Sequence, residues 1–122
     1  MIKVAITSLF FIFLTCTVFA ENNEIQELKI DNFTVTDIDA RSNFINVSIK
    51  IEIYNPNDSG KAFIVVRGVD GDGNELERAV LDGVLNGFGS TRLTETRLVR
   101  SYIHDNIKNW EIKDFKFKPF HK

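Results

Sequence analysis

Residues 45–53 read Ile45-Asn46-Val47-Ser48-Ile49-Lys50-Ile51-Glu52-Ile53, and they constrain the architecture of this chain more strongly than any other segment. Apolar β-branched residues stand at every second position, with polar residues between them. Because successive side chains of a strand point to opposite faces, the segment is predicted to be a strand with one buried and one exposed face. Such a strand is typical of an antiparallel sheet that is covered on one side only.

Turn signals follow this segment and divide the next part of the chain into strands. Residues 54–60 contain Pro56 among Asn, Asp and Gly, which favour turns and end strands. Residues 61–69 are apolar on both faces, and this favours a central strand. The sequence Asp-Gly-Asp-Gly-Asn at residues 70–74 predicts a hairpin turn with its return strand at residues 76–81. After a break at residues 86–89, a further strand is expected over residues 91–100.

The two ends of the chain complete the fold prediction. Residues 28–35 predict a first strand that is interrupted at Asp31-Asn32, and residues 101–109 predict one or two helical turns capped by Ser101. The last strand starts at Trp110, and a change of alternation near Asp114 predicts a β-bulge. The chain is therefore predicted to be all-β, an Ig-like antiparallel β-sandwich of about six or seven strands with one short helix near the C-terminus.

The first 20 residues have a different composition from the rest. Lys3 precedes an apolar run that ends with Val18 and Ala20 at positions −3 and −1 of a cleavage site, and a polar stretch begins at Glu21. This layout predicts a secretory signal peptide at residues 1–20 and one domain at residues 21–122. We therefore expect a secreted or periplasmic protein with no membrane span after cleavage. An uncleaved anchor is the alternative, although the run is short and interrupted for a span.

Cys16 is the only cysteine, and it opens a second alternative for the N-terminus. Bacterial lipoproteins are acylated on a cysteine at the end of the apolar run, so a lipid anchor on Cys16 is a minority interpretation. Thr15, directly before the cysteine, departs from the small residue usual there. Cleavage after Ala20 would leave a chain without cysteine and hence without disulfides or thiol chemistry.

Few residues of this sequence fit catalytic chemistry. The histidines are His104 and His121, and His104 stands beside Asp105 without an evident nucleophile or metal as a third element. We interpret His104 as a surface residue and His121 as part of a terminal tail. A small hydrolase using His104, Asp105 and Asp114 is the least favoured function, and we expect neither an enzyme nor a cofactor.

The turn at residues 70–74 is the one segment that resembles a metal site. Asp70, Asp72 and Asn74 place oxygen atoms at alternate positions, which suits Ca²⁺. Compared with an EF-hand loop, Glu75 replaces the required Gly and Leu81 replaces the bidentate Glu, and both flanking segments are predicted strands. A hairpin turn is therefore the preferred interpretation, and Asp70, Asp72 and Asn74 remain low-ranking calcium candidates.

The C-terminal run from Lys113 to Lys122 alternates basic and aromatic residues. Such a run can bind nucleic acid, polyanionic glycans or anionic lipid. We favour an edge strand whose lysines discourage aggregation and whose phenylalanines fill the core. Because export is predicted, nucleic acid is not an expected partner.

Three Asn-x-Ser/Thr sequons occur, at Asn32, Asn46 and Asn57. They are relevant only if the source cell glycosylates its secreted proteins. Asn57 lies in a predicted turn, and we therefore expect it to be the most accessible of the three.

Two families of small extracytoplasmic β-sandwich domains resemble residues 47–97, about half of the chain. Asp70, Asp72 and Gly73, with Gly89-Ser90 before Thr91, resemble FxLYD-type domains of bacterial envelope proteins. Val66, Gly68 and Val69 stand where the family has its name-giving Phe, Leu and Tyr. Residues 51–57, with their Asn-Pro-Asn turn, resemble WHy (LEA14-like) domains. Both resemblances imply a non-enzymatic envelope domain and assign no site residue.

These observations favour an exported binding or structural module whose partner is another envelope or extracellular protein. Strand addition to an exposed sheet edge is the expected recognition mode, because it uses backbone hydrogen bonds and needs no special motif. An ion or small-ligand binding protein that uses the turn at residues 70–74 is the alternative. The oligomeric state does not follow from the sequence.

Overall fold

The computed structural model describes residues 25–120, which form six strands and one short helix. In chain order these are β1 (Lys29–Arg41), β2 (Phe44–Asn55), β3 (Gly60–Val69), β4 (Glu75–Leu85), β5 (Gly89–Arg100), α1 (Ser101–His104) and β6 (Asn109–Pro119).

The strands form two antiparallel three-stranded sheets. The first, here called the β2 sheet, has the order β1-β2-β5, and the second, the β3 sheet, has the order β4-β3-β6. The sheets pack face to face as a sandwich, which confirms the predicted fold class. The strongly alternating segment lies in β2 and residues 61–69 lie in β3, so both are central strands.

The core lies between the two sheets and follows directly from the alternation. Val47, Ile49, Ile51 and Ile53 of β2 are fully buried, while Lys50 between them is exposed. Each buried aliphatic side chain stabilises the fold by about 1.5–3 kcal/mol relative to leaving it in water. The β6 strand contributes Trp110, the largest fully buried side chain of the described residues, and β1 contributes Phe33.

Two predicted irregularities are confirmed by the strand register. The β1–β2 pairing shifts between Ile30 and Asn32, so Asp31 is a bulge, as the interruption in the sequence indicated. The β3–β6 pairing shifts between Ile112 and Asp114, which makes Lys113 a bulge. This extra residue returns Phe115 and Phe117 to the inner face that Trp110 occupies.

The helix lies within the predicted residues 101–109, but the predicted N-cap residue, Ser101, is wrong. The helix α1 is a single turn, and Arg100, not Ser101, occupies the N-cap position without a capping side-chain hydrogen bond. The N–H of Ser101 instead donates to the carbonyl oxygen of Asn43 at 2.8 Å, which continues the pairing of β5 with β2. The ladder therefore determines where this helix begins.

The prediction that Asn57 is the most accessible sequon is wrong. Its side chain is only 8% exposed, and its Nδ2 donates to the carbonyl oxygen of Gln26 and to Oδ1 of Asn55. The Oδ1 of Asn57 accepts the N–H of Gln26 at 2.7 Å. The Asn-Pro-Asn turn is a buried hydrogen-bonded junction because polar groups removed from water must find partners. Asn32 is the exposed sequon and Asn46 is half-buried.

The predicted signal peptide, Cys16 and His121 lie outside the described residues. Within residues 25–120, no helix has the length and apolar character needed to cross a membrane.

Candidate functional site

Among the edge strands of residues 25–120, β5 has the most regular free edge. An edge strand exposes unpaired N–H and C=O groups that can pair with another chain, and bulges interrupt that row. Three of the four edge strands have register shifts, which lie at Asp31 and Ile38 in β1, at Leu76 in β4 and at Lys113 in β6. The β5 strand pairs with β2 over 12 residues without a shift.

The direction of the backbone groups in β5 follows from one hydrogen bond. Ser101 N–H donates to Asn43 O across the end of the β2–β5 ladder. Backbone groups alternate in direction along an antiparallel strand, so the odd-numbered residues of β5 bond to β2. The N–H and C=O groups of Thr94, Thr96 and Leu98 therefore point to the free edge. No hydrogen bond to their N–H groups is found within residues 25–120.

The free edge of β6 offers far fewer donors. Phe120 N–H donates to Ser59 O at 3.1 Å, so by the same alternation Phe115, Phe117 and Pro119 point their backbone groups away from β3. The Oδ1 of Asp114 accepts the N–H of Phe115 at 3.0 Å. Because Pro119 has no N–H, only Phe117 presents a free donor after the bulge.

The β4 strand lies beside β5 but belongs to the other sheet and does not pair with it. A Cβ atom on Gly83 would lie 2.9 Å from Cδ2 of Leu93, so the absence of a side chain allows the two strands to approach. Arg97 Nη2 donates to Oε2 of Glu77 at 2.7 Å and links the two sheets. Arg97 is on the inward-facing set of β5 side chains, and the link therefore lies between the sheets and not along the free edge.

One end of the outer face of the β2 sheet has a row that we call the arginine row, formed by Arg41, Phe44 and Arg100. Register places Arg41 of β1 and Arg100 of β5 on either side of Phe44. The guanidinium carbon of Arg100 lies 5.5 Å from the centre of the Phe44 ring, within the range of a cation–π interaction.

The two arginines of this row have no carboxylate partner in the described part of the chain. The other four described arginines each form an ion pair: Arg67 with Glu111, Arg78 with Glu75, Arg92 with Glu52, and Arg97 with Glu77. Asp39 is the nearest acidic residue along β1, opposite Asn46 in the next row, and it makes no ion pair with Arg41. The row therefore presents two uncompensated positive charges beside an aromatic ring.

Exposed apolar side chains lie next to the arginine row. Leu98 of β5 pairs with Asn46 and is 57% exposed, and Ile38, at the β1 bulge, is 52% exposed. Tyr102 on α1 is also largely exposed. Tyr and Arg are enriched among the residues that dominate protein–protein binding energies. The end of β5 thus combines free backbone groups, positive charge and apolar surface.

His104 is not the surface residue that the sequence indicated. Its side chain is 12% exposed, and its Nε2 lies 3.0 Å from Oδ1 of Asp37, which β1 brings from far along the chain. Asp105, its neighbour in sequence, is 79% exposed, with its Oδ1 3.9 Å from Nδ1 of His104. The buried Nδ1 has no hydrogen-bond partner among the described residues.

Of the residues in the hydrolase hypothesis, Asp105 lies near His104 but Asp114 does not join them. Asp114 lies in the middle of β6, where it accepts the N–H of Phe115 and has its Oδ2 3.7 Å from Nζ of Lys116. No hydrogen bond or ion pair joins it to His104 within residues 25–120. The hydrogen-bond partner of His104 is therefore Asp37 and not Asp114.

The calcium candidates form a closed turn. Oδ1 of Asp70 accepts the backbone N–H groups of Asp72 and Asn74, both at 2.9 Å. The hydrogen bond from Asn74, assisted by that from Asp72, lowers the pKa of Asp70 below its ordinary value. Within the described residues no group of three or more His, Cys, Asp or Glu could hold a metal ion. Calcium binding by Asp70, Asp72 and Asn74 stays a low-ranking prediction.

The C-terminal run has the arrangement expected of an edge strand. Phe117 is buried and Phe115 packs against the core, while Lys116 and Lys118 are exposed. Phe120 is the exception, because its side chain is exposed.

Sequence reasoning missed the arginine row. Arg41 and Phe44 flank a two-residue turn, but the register that brings Arg100 to the same row links residues far apart in the chain. No local pattern marks such a site.

Comparison of the chain with protein-family models and with curated proteins found no match. The resemblance to FxLYD-type and WHy domains therefore stays a prediction.

Proposed function

We propose that this chain is an exported, non-enzymatic binding module that accepts an extended segment of another envelope or extracellular protein as an added strand on β5. One observation carries the proposal: β5 is the edge strand without a register shift in the described part of the chain. Strand addition obtains affinity from main-chain hydrogen bonds and specificity from alternate side chains.

The alternative edges support this choice by contrast. The β6 strand has a bulge, a capped N–H at Phe115 and Pro119, which are the devices that proteins use to block edge pairing. The β1 strand is interrupted twice, at Asp31 and Ile38. The β4 strand is shifted at Leu76 and pairs regularly from Glu77 to Leu85, so β5, which is regular over 12 residues, offers the longest uninterrupted row of donors and acceptors among the described edges.

Capture of the partner from the native extracytoplasmic fraction tests the proposal. The tagged protein is crosslinked in that fraction and its partners are identified by mass spectrometry, in parallel with Thr96→Pro. Proline at position 96 removes an N–H that points to the free edge and leaves the β2–β5 ladder bonds in place. The matched control is the double variant Lys116→Glu and Lys118→Glu, which changes the β6 surface instead.

We expect one stoichiometric protein partner with the wild type and the β6 control, and its loss with Thr96→Pro, which should lower the free energy of unfolding by less than about 1 kcal/mol. Capture that Thr96→Pro leaves intact would refute binding at β5. Loss of capture in the β6 control alone would mean that the partner binds at β6.

Export is tested separately by the intact mass of the protein after expression of residues 1–122. The proposal expects a mature chain that begins at Glu21. A mass that includes acyl groups on Cys16 would identify a lipoprotein, and an uncleaved chain would contradict export by a cleavable signal.

A further inference from the structure

We infer that the partner segment has a carboxylate that binds the arginine row and an apolar side chain, two residues away, that packs on Leu98. This inference rests on the proposed function, because it describes the segment that adds to β5. It names a partner chemistry: an extended, acidic peptide segment in which an acidic and an apolar residue are two positions apart.

The arginine row has a positive charge that no carboxylate of the described residues neutralises. Arg100 is held over the ring of Phe44, with the guanidinium carbon 5.5 Å from the ring centre. The row also contains Arg41, and neither arginine has an ion-pair partner in residues 25–120. A planar guanidinium forms two parallel hydrogen bonds to a carboxylate, so a pre-positioned arginine without a partner matches an incoming Asp or Glu.

The position of the row on the strand gives the pattern. Leu98 and Arg100 are two residues apart in β5 and therefore lie on the same outer face of the β2 sheet. A strand paired with β5 places its own side chains opposite them with the same period of two. An apolar residue opposite Leu98 covers its exposed surface, and the residue opposite Arg100 supplies the carboxylate.

The charge of β5 disfavours a second copy of this chain as the occupant. Arg92 and Arg97 of β5 are already in ion pairs with Glu52 and Glu77, which leaves Arg100 as its uncompensated charge. The single acidic residue of β5 is Glu95, on the inward-facing set of side chains, so the β5 strand of a second copy supplies no carboxylate for Arg100. An acidic segment from a different protein has the complementary charge.

A sulfated glycan or an anionic lipid surface would bind the arginines but would not pair with the free backbone N–H and C=O groups of β5. The free N–H and C=O groups of Thr94, Thr96 and Leu98 alternate along the edge beside the row, and a polypeptide backbone presents the same alternation. A lipid surface also fits poorly because Asp39 lies in the next row of the same face. The combination of backbone edge and arginines therefore favours a peptide.

The inference is tested with short, end-blocked peptides of alternating Val and Thr in which one Val is replaced by Glu, by Gln or by Lys, so that the residues two positions away on the same face are Val. Binding to the isotope-labelled protein is followed by NMR shifts of the β5 amides up to millimolar peptide. We expect the Glu peptide to bind about tenfold more tightly than the Gln peptide, as for a charge-assisted bond that contributes ~1.4 kcal/mol. The Lys peptide should be the weakest.

Three variants assign the effect to individual side chains. Arg100→Glu should abolish the preference for the Glu peptide and create one for the Lys peptide, and Arg41→Gln should reduce the preference by a smaller factor. Leu98→Ser should weaken all three peptides. The Arg100→Glu protein must retain the circular dichroism spectrum of the wild type.

The outcomes separate this inference from the proposed function. Equal binding of the three peptides, abolished by Thr96→Pro, would refute the acidic partner and keep strand addition at β5. Glu-selective binding that Thr96→Pro leaves intact would overturn strand addition, and equal displacement of the peptide by heparin or by anionic vesicles would identify a glycan or a lipid instead. No shift of any β5 amide at millimolar peptide would contradict both.

Discussion

The β5 and β6 strands are both edge strands, yet they differ in almost every property that determines what an edge does. The β6 strand places Trp110 and Phe117 in the core, and its free edge has a bulge, a capped N–H and a proline. The β5 strand places two buried aliphatic side chains, Leu93 and Val99, in the core and has an uninterrupted row of free backbone groups. One edge strand mainly stabilises the fold, and the other is the edge on which we propose that the partner adds.

The largest expected effect is on the core residues of the two strands. Trp110→Ala removes the largest fully buried side chain and should lower the free energy of unfolding by about 3–5 kcal/mol, whereas Leu93→Ala should cost about 2 kcal/mol. Because Trp110 is the only tryptophan, urea denaturation is followed by far-UV circular dichroism. Equal losses would contradict the unequal contribution of the two strands to the core.

Trp110→Phe is the matched control for this pair. The indole Nε1–H of Trp110 is buried without a hydrogen-bond partner among the described residues. Replacing the indole by a phenyl ring removes that unpaired donor and leaves a smaller cavity than alanine does, so the loss should be well below that of Trp110→Ala.

A second prediction uses proline at two neighbouring positions of β5. Glu95 pairs with Ile49 and bonds to β2, whereas Thr96 points its N–H to the free edge. Glu95→Pro should therefore cost about 3 kcal/mol, and Thr96→Pro less than about 1 kcal/mol, because only the former removes a ladder hydrogen bond. Thermal melting of the two variants measures the difference. The reverse order would mean that the alternation assigned to β5 is wrong.

A third prediction concerns the protection of β6. Asp114→Ala releases the N–H of Phe115 and should lower the free energy of unfolding by only about 0.5–1 kcal/mol. Combined with Pro119→Thr, it gives β6 free donors at residues 115, 117 and 119 after the bulge, and size-exclusion chromatography with light scattering should detect self-association. A double variant that stays monomeric at the highest soluble concentration would show that these devices do not protect the edge.

The smallest effect is expected at the turn that leads into β4, where charge and not strand pairing is involved. The backbone hydrogen bond from Asn74 depresses the pKa of Asp70 below its ordinary value of 3.8. A carboxyl whose pKa is depressed on folding stabilises the protein above that value, and this contribution is lost as the pH falls through the lower pKa of the folded state. The melting temperature should therefore decline below pH about 4.

Asp70→Asn should show a smaller acid-dependent decline over the same interval, since its amide oxygen still accepts the turn hydrogen bonds without titrating. Strand addition on β5 should be unaffected by this substitution. Calcium at millimolar concentration is the accompanying control, and a rise in the melting temperature of the wild type would support the low-ranking calcium hypothesis.

The parts of the fold that could be predicted are those that local patterns determine. The alternation of residues 45–53 identified β2, and the change of alternation near Asp114 identified the bulge in β6, because both depend on which neighbours along the chain are apolar. Asn57 and His104 were misjudged for the opposite reason. Their burial depends on Gln26 and Asp37, which the topology brings from distant positions.

The candidate site could not be predicted in the same way. Which strand has a free and regular edge depends on the strand order, and the order β1-β2-β5 is not encoded in any single segment. The arginine row depends on the register of three strands, which joins Arg41 and Arg100 across Phe44. Strand addition was expected from the sequence, but the choice of β5 depends on the strand order and register of the folded protein.

Amide hydrogen exchange of β5, measured by NMR with and without the Glu peptide, tests the central claim most directly. In the free protein the amides of Thr94, Thr96 and Leu98 should exchange fast, while those of Glu95 and Arg97 exchange slowly because they bond to β2. Saturation with the peptide should slow the first group by at least about tenfold and leave Phe117 of β6 unchanged. Slow exchange at Thr94, Thr96 and Leu98 in the free protein, or no slowing with bound peptide, would contradict β5 as the binding edge.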